Sequence, residues 1–226
     1  MKTMNTYYKT DEANIADLSL ENIENYYDKG YKFTRLAIGN MQQTRSLRVD
    51  LSKFELSSEN RRVLKKFPSL NISIKELPLS EYDWKIGKLA KDFYSKKFGE
   101  NTFSANKVKE LLTIKGNFNC ILEFNNTNEE VIGYTICFKT SNILHYSYPF
   151  YDLAYEKTSL GISMMTQTIE YCKQNGLNYV YLGGVTKPLD QYKLQFSGLE
   201  YYENTWQMDL TKLKETLKNT PEIPAL

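Results

Sequence analysis

The 226 residues carry 29 Lys or Arg against 27 Asp or Glu, a formal charge of +2, with 41% apolar and 25% charged residues. The chain is long for one domain and short for two, and it can bury a core without disulfide or metal staples. So balanced a charge leaves any nucleic-acid contact to a local basic patch rather than the overall field.

The three cysteines, Cys120, Cys137 and Cys172, are odd in number and set among apolar residues, which argues for buried thiols in a reducing compartment and against a disulfide framework. The N-terminal "MKTMNTYYKTDEAN" is too polar for a signal peptide, and no apolar run approaches the roughly 18 residues of a membrane span. A cytoplasmic monomer with no membrane or DNA partner is expected. The 18 tyrosines are read as the composition of an AT-rich genome.

Residues 1–19 lack periodicity and read as a flexible arm. "LENIENYYDKG" then predicts a helix closed by Gly30. "YKFTRLAIG" and "RSLRVDL" read as the strands of a hairpin around a polar turn, "NMQQT". Ser57 or Ser58 caps a helix over "LSSENRRVLKKF", and "NISIKEL" alternates as a half-buried strand. These elements make up an N-terminal α/β lobe over 20–75, ahead of a larger domain over 76–226.

In the larger domain, Ser80 with Asp83 suggests a capping box for a helix running to Phe98, and "SANKVKELLTI" is a second helix. Three strands follow near 118–124, 130–138 and 143–148, joined by hairpin turns at "NNTNEE" and "KTSN". After the loop "PFYDLAYEKT" comes a helix with Leu160, Met164, Met165, Ile169 and Cys172 on one face, then the strand "LNYVYLGG". "YKLQFSG" is a turn or short helix, "LEYYENTWQMDL" a last strand, and a helix and a frayed "TPEIPAL" end the chain. A strand–helix–strand unit crosses over right-handed, so the strands near 143–148 and 178–183 run parallel. Where they diverge they leave a cleft at the helix start. This is the GNAT acyltransferase arrangement: an α+β fold with a mainly antiparallel mixed sheet flanked by helices.

Much chemistry is missing. The single histidine, His145, sits mid-strand and is read as packing, which removes Ser–His and Cys–His pairs. No zinc spacing or P-loop occurs, and no metal site is expected. Transfer of an already activated acyl group remains, because it asks the protein mainly for alignment and an oxyanion donor. A helix start can bind phosphate, but in "EKTSLG" Glu156 stands where the GNAT CoA loop carries a basic or amide residue, and Ser159 stands for its first glycine; Gly161 fits the last position.

Phe150–Tyr151–Asp152, Ser159–Leu160–Gly161, Tyr181–Leu182–Gly183 and Tyr192–Lys193 with Phe196 and Glu200 resemble, in order, the linked motifs of the aminoacyl-tRNA–protein transferases of the N-degron pathway, the arginyl- and leucyl-transferases. "YYDKGYKFTR" and "LRVDLSKFELSSENRRVLKK" are similar to that family's N-terminal segments, so the likeness runs from about residue 20 to 206. This chain departs in lacking the family's N-terminal cysteines, with "NMQQTRS" in their place. It also has Leu153, Gly184 and Gly198 where the family has proline, an aromatic residue and proline.

The resemblance implies a charged tRNA as donor substrate, no separate cofactor, and a protein or peptide N-terminus as acceptor. The tRNA 3′ end would lie beside Ser159, Leu160 and Gly161, with Phe150, Asp152, Tyr181, Gly183 and Gly184 lining the site. Lys193 would meet phosphate or the oxyanion. Tyr192 would relay a proton or stack on the terminal adenosine, with a core position as its alternative. Arg61, Arg62, Lys65 and Lys66 form a basic helix face for tRNA. Arg35 and Arg48, with Arg45, would receive an acidic N-terminal residue. Two other readings stay open: a GNAT acetyltransferase that uses acyl-CoA on a small amine, and an inactive module that binds N-termini or RNA.

Overall fold

The computed structural model describes residues 10–67 and 70–219. The expected arm is partly a strand: β1 (Asp11–Asn14) pairs antiparallel with a later strand, while residues 1–9 lie outside the described residues. α1 (Leu20–Asp28) starts at Ser19, whose side chain accepts from the Asn22 N–H, and Gly30 follows its end with φ +78°.

β2 (Tyr31–Phe33) then pairs with β3 (Asn40–Gln43), so the "NMQQ" run expected as a turn is itself a strand. It lies between β1 and β2, where Asn40 donates to Glu12 and Gln43 to the Lys29 carbonyl, while Met41 is fully buried. β4 (Ser46–Asp50) does not return to β2. It crosses into the main sheet, antiparallel to two strands from the far end of the chain.

α2 (Ser58–Leu64) has a capping box between Ser57 and Asn60, and β5 (Asn71–Glu76) is an edge strand. α3 (Trp84–Phe98) is capped by Asp83 alone, which accepts from the Lys85 N–H, and α4 (Ala105–Thr113) by Ser104. β6 (Cys120–Asn125), β7 (Val131–Lys139) and β8 (Ile143–Tyr151) form the expected meander. A 3-10 turn over Leu153–Thr158 leads into α5 (Leu160–Gln174), which ends at Gly176 and returns as β9 (Tyr179–Gly184).

A second 3-10 segment, Pro188–Gln195, precedes a hairpin rather than one last strand: β10 (Leu199–Glu203) and β11 (Thr205–Gln207). α6 (Leu210–Lys218) closes the described chain, and "TPEIPAL" lies outside the described residues.

The main sheet has the order β11-β10-β4-β9-β8-β7-β6-β5, and β8–β9 is its parallel pair. Two cores sandwich it. One lies under α5 and α6, with Met164, Ile169, Leu213 and Leu217; the other lies under α1, α3 and α4, with Tyr27, Ala90 and Leu112. The fold is the expected α+β class. Because β4 and β5 come from the segment read as a separate lobe, the division near residue 75 is not a boundary of the sheet. Cys120, Cys137 and Cys172 are buried free thiols, and burial pushes the first and last up to about 12. No helix among the described residues is long and apolar enough to cross a membrane.

Candidate active site

β8 and β9 stay in parallel register from Ile143↔Tyr179 to His145↔Tyr181 and part there. Both strands are irregular at that point. β8 shifts register against β7 between Tyr146 and Tyr148, leaving Ser147 as the extra residue, and β9 shifts against β4 with Leu182 extra. Gly183 takes φ +77° with open space where a Cβ would lie. Bulges in both strands mark the point where they part, beside the start of α5, and this parting is the candidate cleft.

The floor of this cleft is polar. His145 is buried, with Nδ1 2.8 Å from the Tyr27 hydroxyl. Ser147 Oγ lies 2.9 Å from Nδ1 and 3.0 Å from Nε2. Burial holds the imidazole well below its usual pKa, helped by the positive charges of Lys32 and Lys193, so it is neutral at pH 7. The sequence reading of His145 as a residue without a serine partner is therefore corrected. Residues i and i+2 of a strand share a face, and that spacing was the available signal.

On the far side of β9, Lys193 donates to the Gly184 carbonyl at 2.9 Å and pairs with Asp190 at 3.4 Å. Asp190 in turn accepts from the N–H groups of Thr186 and Lys187. Lys193 thus fastens the loop after β9 to the strand end. Tyr192 is 49% exposed, which removes it from the core and leaves its ring accessible for stacking.

A second group of residues comes from α3, the loop after it and the loop after β2. Arg35 donates to the Thr102 carbonyl at 2.8 Å and lies 4.5 Å over the Phe103 ring. Phe103 packs edge-on against Tyr94 and Tyr148. Two of the tyrosines read as compositional bias, Tyr94 and Tyr148, thus pack around Phe103.

At the start of α5, Ser159 is left-handed at φ 67° and makes no side-chain cap, while Gly161 sits against the Tyr151 ring. Glu156 is paired with Lys97 at 2.7 Å, and the charges of Lys96 and Lys157 also depress its pKa. The carboxylate expected to repel phosphate is therefore outnumbered by lysines, a feature that the sequence hid because α3 supplies two of them.

Arg48 is not in the cleft. Its guanidinium lies between the Tyr179 and Trp206 rings, 4.1 and 4.0 Å from their centroids, and donates to Glu200 and Asp28 at 2.8 Å each. Burial lowers its pKa, but Tyr181 first and then the bonds to Asp28 and Glu200 raise it overall, and burial raises that of Tyr181 to about 12. Arg45 faces Glu203 at 4.0 Å. Phe150, Leu160 and Tyr181 are core side chains, and Asp152 caps the turn after β8 by accepting from the Ala154 N–H. Arg61, Arg62, Lys65 and Lys66 all lie on or just after α2, and Arg62 is bonded to Glu59 at 2.6 and 2.8 Å.

The sequence profile described as "Arginine-tRNA-protein transferase, C terminus" matches residues 86–203, just over half of the chain and the stretch that builds the cleft. The chain belongs to this family. Its relatives include two proteins named aspartate/glutamate leucyltransferase. The one from Saccharophagus degradans is 25% identical over 170 residues, which cover 71% of this chain and 69% of that protein. The one from Dinoroseobacter shibae is 44% identical over 63 residues, which cover 26% of this chain and 22% of that protein. Among solved structures, L-PGS from Bacillus licheniformis is 14% identical with a TM-score of 0.47, covering 74% of this chain and 51% of that one.

In this transferase family member the motif residues divide by position. Phe150, Leu160 and Tyr181 build the scaffold, whereas Gly161 lies in the first turn of α5, Gly183 at the end of β9, and Tyr192 and Lys193 in the 3-10 segment fastened to it. The N-terminal cysteines of the resembled family have no counterpart in the structure. Residues 40–46 form β3 and its exit without a thiol, and no group of three potential ligands occurs among the described residues.

Proposed function

We propose that the protein transfers the aminoacyl group of a charged tRNA to the α-amine of a protein or peptide N-terminus. The match over 86–203 carries this reading, because that stretch contains both bulged strands and the helix start between them. The names of the two relatives favour leucine as the transferred residue and Asp or Glu as the acceptor, with arginine as the other donor of this class.

The tRNA 3′ end lies over the open side of Gly183 and Gly184, with its phosphates towards Ser159, Gly161 and the lysines around Glu156. Tyr192 stacks on the terminal adenosine. Lys193 keeps the strand end in place, and Arg35 meets the acceptor's acidic side chain. Apart from the donor substrate no cofactor enters.

Incubating the protein with tRNA charged with mixed amino acids and peptides differing at residue 1, read by intact mass, tests this directly. The expected result is a gain of one leucine or arginine on Asp- or Glu-starting peptides. Intact charged tRNA, unchanged peptides and thermal stabilisation by acetyl-CoA would overturn it in favour of CoA chemistry.

The basic face of α2 is tested separately. Arg61→Glu with Arg62→Glu is expected to lower the slope of log affinity against log salt by about 1 for each phosphate that these arginines neutralise. An unchanged slope would remove α2 from the tRNA interface.

A further inference from the structure

The hydrogen bonds beneath the cleft have a direction. The Phe33 N–H donates to the Tyr27 hydroxyl oxygen at 3.4 Å, and Tyr27 is fully buried, with its remaining contact to His145 Nδ1 at 2.8 Å. An unmade buried O–H bond is costly, so Tyr27 donates to Nδ1. A neutral imidazole has one N–H, which then sits on Nε2. Ser147 Oγ lies against the ring, 2.9 Å from Nδ1 and 3.0 Å from Nε2. The Nδ1 lone pair is taken by Tyr27 and Nε2 carries the proton, so the ring offers Ser147 no acceptor and its own O–H turns away. Ser147 is the half-buried bulge residue at the point where β8 leaves β9. The bonds Phe33 → Tyr27 → His145 thus leave the Ser147 hydroxyl free to donate where β8 and β9 part.

We propose that Ser147 is a catalytic residue of the transfer, donating its hydroxyl hydrogen bond to the aminoacyl carbonyl oxygen as negative charge develops there. His145 and Tyr27 are positioning residues. This rests on the transferase reading above.

In the reaction the neutral α-amine attacks the ester carbonyl carbon. The N–C bond forms, and the carbonyl π pair moves onto the oxygen that Ser147 bonds. Collapse of the tetrahedral intermediate breaks the C–O bond to the ribose. The proton shed by the amine ends on the ribose oxygen, giving an amide and a free hydroxyl with no external acid or base consumed. His145 is not the base in this scheme, since Tyr27 occupies its lone pair; its lowered pKa agrees.

Two measurements test the assignment. In the first, Ser147→Ala in the full chain is expected to lower kcat on the order of a hundredfold with KM for tRNA and peptide unchanged, while Ser147→Thr restores turnover. Tyr27→Phe is expected to fall between wild type and Ser147→Ala. The second needs no turnover: the chain has one histidine, so its ¹⁵N shifts report the tautomer without assignment. The Nε2–H form is expected, lost in Tyr27→Phe.

Undiminished kcat in Ser147→Ala, with wild type active, overturns the role of Ser147 and leaves the transferase standing. An Nδ1–H tautomer overturns the relay direction whatever the activity. A wild type that transfers nothing, while holding the Nε2–H tautomer, overturns the transferase reading and the catalytic role with it.

Discussion

Arg48→Met is expected to lower the melting temperature by roughly 6 to 20 °C. The reason is the charge left behind. Glu200 is buried, and its main partner is Arg48 Nε at 2.8 Å. Removing one member of a buried pair costs about 3–5 kcal/mol, and in a chain of this size each kcal/mol moves Tm by roughly 2–4 °C. Lys53, at 3.5 Å from Glu200 but half exposed, offsets a small part.

Arg48→Lys recovers little. An ammonium cannot fill the slot between Tyr179 and Trp206 as a planar guanidinium does. The double variant Arg48→Met with Glu200→Met removes both charges and is expected to regain most of the loss. Thermal denaturation of the four proteins decides the matter. If Arg48 instead received a substrate carboxylate, as its position in the sequence suggested, Arg48→Met would keep its Tm and raise KM for the peptide.

Arg48 also illustrates what a sequence hides. Its partners Asp28 and Glu200 lie 20 and 152 residues away, and no local pattern joins them. β4, the strand that carries Arg48, was legible as a strand, but its place between β9 and β10 was not, because register is set by long-range pairing. "NMQQ" was misread for a related reason: its apolar content is one methionine, and the ladder on both sides of it, rather than periodicity, makes it a strand.

The meander, α5 and the parallel return to β9 were legible because each follows from a local period joined to a handedness rule. The parallel pairing of β8 and β9 was legible, from the crossover alone. The chemistry where they part was not. Ser147 reaches His145 at one of the two bulges, and bulges leave no mark in composition.

Those bulges can be tested at Gly183. Gly183→Val is expected to cost about 1–2 kcal/mol in stability, the penalty for a left-handed residue with a Cβ, since nothing lies within 4 Å to clash with it. Its effect on transfer is expected to be larger. Escape from φ +77° would undo the bulge opposite Leu47 and Arg48 and swing the Gly184 carbonyl that Lys193 holds. A displacement of about 1 Å at a reacting centre costs on the order of a hundredfold in rate.

Gly183→Asn, which tolerates the left-handed region, is expected to stay near wild type in both respects. Gly176 provides the control, because it too is left-handed, at φ +75°, and open to solvent, but it ends α5 at the other end of β9's approach. Gly176→Val should match Gly183→Val in lost stability and leave kcat untouched. Equal losses of activity in the two valine variants would trace the effect to stability alone and remove the bulge from the mechanism. Activity lost only at Gly183 would tie the strand divergence to the chemistry.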